Sequence, residues 1–432
     1  MSFFSRRITR APLIGATLLA VSAAAAGIAP ASAEISQPTV VSTNPANYTP
    51  SLVQVSGQPK PIVDAIAVAG NTVAAGGRFT RLTQGGTTYN RTNLVLFDAN
   101  DGQVRPQALN PNGRIWAAAS NGNGRWIYVG GQFSSIGGTN KRSIARISAD
   151  TGQVDPGFTS AVRGRVNVLV VANGRVYAGG SFGRKLVALD PQTGRDTGHF
   201  NLDISDPIPN AWGNVTIQGM AINPQGTRLV ATGNFRRVAG QSRTRLFVAD
   251  ISGAQATLDP WYYSRFASPC SSTHPRRIAY LHGVDFSPTG SHFSVAATGQ
   301  ISRPGDRFET VCDGIGRFAM SNDNAPQWIN YTGGDSVWAV ADTGAAVYAQ
   351  GHFQWLDNPF GFASRDGGGA ARRLGIGAIN PSTGRALPWA PAKRAQIGGR
   401  ALVATSAGLW VGSDSQRFGA EPRRGIAFAP LP

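Results

Sequence analysis

Apolar and polar positions along this chain fall into short strand-like runs separated by turn residues. No stretch with a helical period of useful length lies between them. In one unit, 166–171 is an apolar run, Asn173-Gly174 turns, and 175–180 is a second run. A connection then leads to 185–189, and Asp190-Pro191-Gln192-Thr193-Gly194 turns into a weaker strand toward Phe200. Asn-Gly between apolar runs marks a two-residue hairpin, because both residues accept positive φ. In the second turn Asp caps, Pro presets φ and Gly takes the left-handed position. Related turns stand at 98–102, 148–152, 250–253 and 380–384, so Asp98, Asp190 and Asp250 are read as turn residues.

The second run of each unit ends in a recurring phrase, a small or polar residue, then Gly, then x-Phe. It occurs as Gly76-Gly77-Arg78-Phe79, Gly130-Gly131-Gln132-Phe133, Gly179-Gly180-Ser181-Phe182, Thr232-Gly233-Asn234-Phe235 and Gln350-Gly351-His352-Phe353. Degenerate copies are Thr298-Gly299-Gln300-Ile301 and Val411-Gly412-Ser413-Asp414. Their starts lie 54, 49, 53, 66, 52 and 61 residues apart. Self-similarity at this period, with four strands per unit, predicts an all-β, seven-bladed β-propeller with four-stranded antiparallel blades. The last unit lacks an outer strand. An apolar segment at 39–42 or 52–55 is expected to supply it, so that an N-terminal strand closes the ring and removes a sheet edge.

The N-terminus departs from this pattern. Arg6, Arg7 and Arg10 precede an apolar run over 11–28, and Ala31-Ser32-Ala33 offers a small-x-small cleavage site. Residues 1–33 are therefore read as a signal peptide for the general secretory route. Residues 34–432 are read as a single propeller domain, with no transmembrane segment after cleavage and a secreted, extracellular or cell-wall-associated location. The formal charge of +17 suggests an anionic partner, although 36 arginines against four lysines also fit a GC-rich coding bias. The arginines are scattered through every unit, so the expected partner is a cell-wall glycan or an anionic surface polymer, with no specific nucleic acid.

The phrase, followed by an apolar strand and Asp-x-x-Thr-Gly, resembles the repeat of secreted bacterial delta-60-type β-propellers. The likeness extends to 282–288, 328–335, 355–359 and 408–414. It implies a secreted propeller and brings no established activity with it. The segment 378–389 also resembles the tryptophan-docking phrase of quinoprotein propellers, with Asn380 in place of Asp and Trp389 one position late; that phrase locks blades together and implies no quinone site.

If the first strand of each unit is innermost, the long irregular segments 80–91, 201–214, 262–277, 302–317 and 354–373 share one face. Loops held on a rigid scaffold are where function tends to sit. Cys270 and Cys312 fall on that face in one neighbourhood, and two cysteines in an exported chain predict a disulfide. Around them gather the ligand-binding candidates His274, Asp306, Glu309, Asp313, His352, Trp355 and Asp357, able to stack on and hydrogen-bond a sugar or peptide. No catalytic motif, metal set or cofactor phrase is present in the sequence. The expected role is an extracellular binding or scaffold module for a glycan, wall polymer or protein. The alternative is a carbohydrate-active hydrolase or lyase using loop carboxylates such as Asp306 and Glu309.

Overall fold

Strands make up the fold, with one short 3-10 turn, Ser264–Ala267, among the described residues. The computed structural model describes residue 1 and residues 35–271, 273–299, 301, 310–321, 324–362, 365–391 and 398–432. Residues 2–34, which hold nearly all of the segment read as a signal peptide, and Asp306 and Glu309 lie outside the described residues. No helix among the described residues is long and apolar enough to cross a membrane.

Among the described residues seven larger antiparallel sheets follow one another along the chain, beside three small sheets of short loop strands. The first joins Ile62–Ala69, Thr72–Arg78 and Leu94–Asp98. The second joins Ile115–Ser120, Trp126–Gly131 and Ile144–Ser148, and the third Gly164–Ala172, Arg175–Phe182 and Leu186–Leu189. The fourth has four strands, Thr216–Ile222, Arg228–Asn234, Leu246–Asp250 and Thr257–Leu258. The fifth also has four, Tyr280–Phe286, His292–Thr298, Gly314–Ala319 and Pro326–Tyr331. The sixth joins Val337–Asp342, Val347–Gly351 and Ile376–Ile379, and the seventh Ala401–Thr405, Gly408–Gly412 and Ile426–Pro430. Each first strand packs on the first strand of the next sheet, and Ala401–Thr405 touches Ile62–Ala69.

The repeated phrase has a steric origin. A Cβ on the second glycine would run into a backbone oxygen of the neighbouring first strand: Ile62 for Gly77, Arg114 for Gly131, Arg165 for Gly180, Thr216 for Gly233 and Ser336 for Gly351. The position before it faces the next sheet. Where it is glycine, a Cβ would meet a β-branched side chain of that sheet, Gly76 with Ile115, Gly130 with Val166, Gly179 with Ile217, each closer than 3 Å. Where it is polar, it bonds across instead. Thr232 Oγ1 donates to the His282 carbonyl, Thr298 Oγ1 pairs with Ser336 Oγ, and Gln350 Nε2 donates to the Ala401 and Gly412 carbonyls. The seventh copy is displaced by one residue from the sequence alignment. Gly412 meets Val63 of the first sheet, and Ser413 and Ser415 make the backbone bonds that Gly77 and Phe79 make.

Two expectations about edges meet a different structure. Among the described residues a fourth strand forms only in the fourth and fifth sheets; in the first, second, third and sixth it shrinks to a single bridge at Val104, Val154, Asp196 and Ala386. Pro106, Pro156, Gly198 and Pro388 follow within two residues, and proline cannot donate to a ladder while glycine weakens one. The N-terminal segment runs beside Ile426–Pro430, with Ser42, Ala46 and Leu52 N–H groups donating to the carbonyls of Pro430, Phe428 and Arg424. Its one short strand, Ser51–Leu52, pairs with the loop hairpin Arg81–Gln84 and Thr87–Asn90 rather than with the seventh sheet.

Candidate functional site

The links into the fourth and fifth sheets, 201–214 and 262–277, form the walls of two adjoining hollows of about 390 and 440 Å³ that share Asn210 and Ile278. Arg236, Arg237 and Arg245 line the first; Trp212, Arg276, Arg277, Tyr280, Asp335 and His352 line the second. Trp212 is 89% exposed. Its backbone is nevertheless pinned: its N–H donates to the Tyr280 hydroxyl at 2.9 Å, and its carbonyl accepts from Asn234 Nδ2 at 3.1 Å. The result is an indole held out to solvent on a fixed backbone. So large an aromatic ring, left in water on a fixed backbone, is available to stack on a ligand.

The electrostatics of the groove are positive. Arg236 and Arg237 share one carboxylate, Asp206, at 3.7 and 3.0 Å. Arg277 is fixed by the Ile301 carbonyl at 2.9 Å, and Arg276 is exposed. Arg245 lies beneath, fully buried and bonded to the Phe266 and Ser268 carbonyls; burial brings its guanidinium down to about 10. Asp335 is the acidic member of the wall. Burial pushes its carboxyl up, while His352 opposes that rise.

Cys270 and Cys312 are bonded, as their shared face predicts, and both sulfurs are buried beside Gly299. The other sequence candidates are distributed as follows. His352 is exposed and lines the second hollow. His274 sits on an exposed turn, with Nδ1 2.9 Å from Thr273 Oγ1 and its N–H donating to Ser271. Trp355 is half-buried in the small hairpin with Ala371–Arg372, under the Arg372 guanidinium. Asp357 uses both carboxylate oxygens inside the fold, accepting from Asn330 Nδ2 at 2.6 Å and from the Ala386 N–H at 3.0 Å.

Asp313 replaces a piece of backbone. In the first four sheets and the sixth, the second glycine's N–H donates to the carbonyl of a positive-φ residue before the third strand, such as Ser143 or Lys185. In the fifth sheet Gly299 N–H donates instead to Asp313 Oδ1 at 2.7 Å. The side chain is 1% exposed, and burial pushes its carboxyl up to about 8 against the Gly299 bond, with the charge on Asp335 adding to the rise.

The sequence reading missed Trp212, Tyr280 and Asp335 as members of the groove. A signal existed, because Trp212 stands alone in the polar, Pro-rich segment 201–214 that had been placed on the functional face.

No protein-family model matches the chain, and no curated protein does. Among solved structures, Kuenenia stuttgartiensis hydrazine synthase is similar at 12% identity and a TM-score of 0.42, over 70% of this chain and 80% of that one.

Proposed function

We propose that the chain is a secreted seven-bladed β-propeller, its ring completed by the N-terminal segment, that serves as an extracellular binding module for acidic glycans or wall polymers. Support for the ring is the packing of consecutive first strands together with the contact between the seventh sheet and the first. A hollow of about 720 Å³ adds to it, lined by first-strand residues of the first, second, third, fourth and seventh sheets, Ile66, Ala118, Leu169, Ile222 and Val403 among them.

The observation that carries the binding role is the pinned, exposed Trp212 in a groove with Arg236, Arg237, Arg276 and Arg277. An aromatic plane stacks on a sugar ring, and guanidinium forks bind carboxylates in bidentate fashion. Titration with polygalacturonate and with neutral dextran tests this. Saturable binding of the acidic polymer alone is expected, weakened about tenfold in Trp212→Ala, the loss expected for one well-buried aromatic contact. Equal affinity in wild type and Trp212→Ala would refute the groove. Release of reducing ends during the titration would favour the hydrolase or lyase reading over binding alone.

A further inference from the structure

A second cluster of charge lies away from the groove. Six of the seven first strands carry a bulge at the same point, between residues 63 and 65, 115 and 117, 166 and 168, 217 and 219, 281 and 284, and 337 and 339. The inserted residues are Asp64, Trp116, Asn167, Gln218, His282 with Gly283, and Trp338. A bulge re-aims the side chain it adds. Here the added side chains meet across sheets. The Arg400 guanidinium, just before the first strand of the seventh sheet, lies 4.4 Å from the ring of Trp338 in the sixth and 5.9 Å from that of Trp116 in the second. One guanidinium can reach both only near the line about which the first strands are arranged.

Three guanidiniums gather here around a single carboxylate, which two of them reach. Arg114 takes both oxygens of Asp64 at 2.7 Å and lies 3.6 Å over Trp116, and the Asp64 side chain is fully buried. Arg400 reaches the same carboxylate only at 4.0 Å. Among the described residues Arg165 has no ion pair and its buried Nε no hydrogen-bond partner, and its guanidinium lies 5.3 Å from the Trp116 ring. His282 adds no charge, since burial and the Arg400 cation push its imidazole down to about 3. Two positive charges therefore stand without a counter-charge. Burial first, and then the Arg114 cation, disfavour the charge on Arg165 and on Arg400. Gathering cations in a confined site is costly unless something anionic offsets it. Solvent reaches the cluster: the Arg114 and Arg400 side chains keep 21% and 30% exposure.

We propose that Arg114, Arg165 and Arg400 form an axial binding site for a small divalent oxyanion of the phosphate or sulfate class. Arg114 is locked by Asp64 and supplies fixed charge, while Arg165 and Arg400 present the free donors. Three guanidiniums against one carboxylate leave a net charge of two that matches a dianion, and the forked N–H groups match its oxygens. Trp116 and Trp338 keep the guanidinium planes in position by stacking. The site rests on the ring arrangement but not on the glycan groove, so either can fail alone.

Calorimetric titration of the intact protein with sodium phosphate, against sodium chloride at equal ionic strength, tests it. One saturable phosphate site is expected. Arg165→Met and Arg400→Met should each weaken it at least about tenfold, Arg165→Lys should do so less, and Arg195→Met, on an exposed turn, should leave it unchanged. Absence of saturable binding by wild type up to about 10 mM phosphate, a limit corresponding to negligible affinity, would overturn the site without any variant having to fold. So would equal affinity in wild type and in a folded Arg165→Met protein.

Discussion

Gly130 and Val166 belong to adjacent sheets, and the steric account of the repeated phrase predicts that they are energetically coupled. A Cβ on Gly130 would stand 2.7 Å from Val166 Cγ1 and 3.1 Å from the flexible end of Leu169. Gly130→Ala should therefore overpack the seam and cost about 1–3 kcal/mol, less the few tenths recovered by a stiffer unfolded chain. Val166 is fully buried, so Val166→Ala removes two methyl groups and should cost about 2–3 kcal/mol in transfer and cavity terms. In the double variant the new methyl occupies the space the valine vacates. The pair should then be less destabilised than the sum of the singles by about 1–2 kcal/mol, well outside the error of a cycle. Urea denaturation followed by tryptophan fluorescence measures all three, read as midpoints if the m-value changes. The same cycle at Gly412 and Val63 probes contact between the last sheet and the first; a smaller coupling is expected, because the Ala401 Cβ would also press on the new methyl at 2.9 Å. Gly131→Ala is the control. Its Cβ would strike the Arg114 carbonyl oxygen at 2.2 Å, and no side-chain truncation can rescue that. Additivity within about 0.5 kcal/mol at Gly130 and Val166 would refute the steric reading of the phrase.

Other outcomes follow from the fifth sheet. Asp313 titrates at about 8 in the folded chain and near 3.8 when unfolded. The unfolded state therefore holds fewer protons between those values, and stability falls as pH rises from about 4 to 8. Asp313→Asn keeps the acceptor for Gly299 and stays neutral, so its melting temperature should exceed that of wild type at pH 8 and lose the difference toward pH 4. A constant offset across that range would show that the carboxyl carries its charge in the folded state. Removing the disulfide with Cys270→Ala and Cys312→Ala together opens a loop of sequence separation 42, which should cost about 4 kcal/mol on the chain-entropy argument. A loss below about 1 kcal/mol on the same scale would mean the unfolded chain is already constrained there.

What was legible in the sequence followed from backbone geometry. The phrase marks second strands because a glycine there is dictated by a carbonyl 2.0–2.2 Å from where a Cβ would sit, and such a constraint leaves the same letters in copy after copy. The disulfide was legible because the sequence holds two cysteines in a chain read as exported and strand order put both on one face. Fourth strands were overcounted because the weak apolar runs after each turn fit the alternation, while Pro106, Pro156 and Pro388 remove the donors a ladder needs. The seventh phrase was misaligned by one residue because Gly412 is the only glycine left in it, and only contact with Val63 shows which of the two positions it fills.

The bulge residues of the first strands were illegible for the opposite reason. A bulge needs one extra residue and sets no requirement on its type, so Asp64, Trp116, Asn167, Gln218 and Trp338 look like interruptions in otherwise apolar runs. The 166–171 run was read straight through Asn167, yet the register slips there, and Asn167 Nδ2 donates to the Ile217 carbonyl at 2.7 Å in the next sheet. The pattern was nonetheless present, as an apolar residue, a polar or aromatic one, then a small or apolar one near the start of each first strand. Packing leaves these positions free in chemistry, so what fills them reflects charge and contact between sheets. Three arginines to one aspartate is a costly choice for a fold that needed only spacers, and an anion is the simplest agent that offsets it.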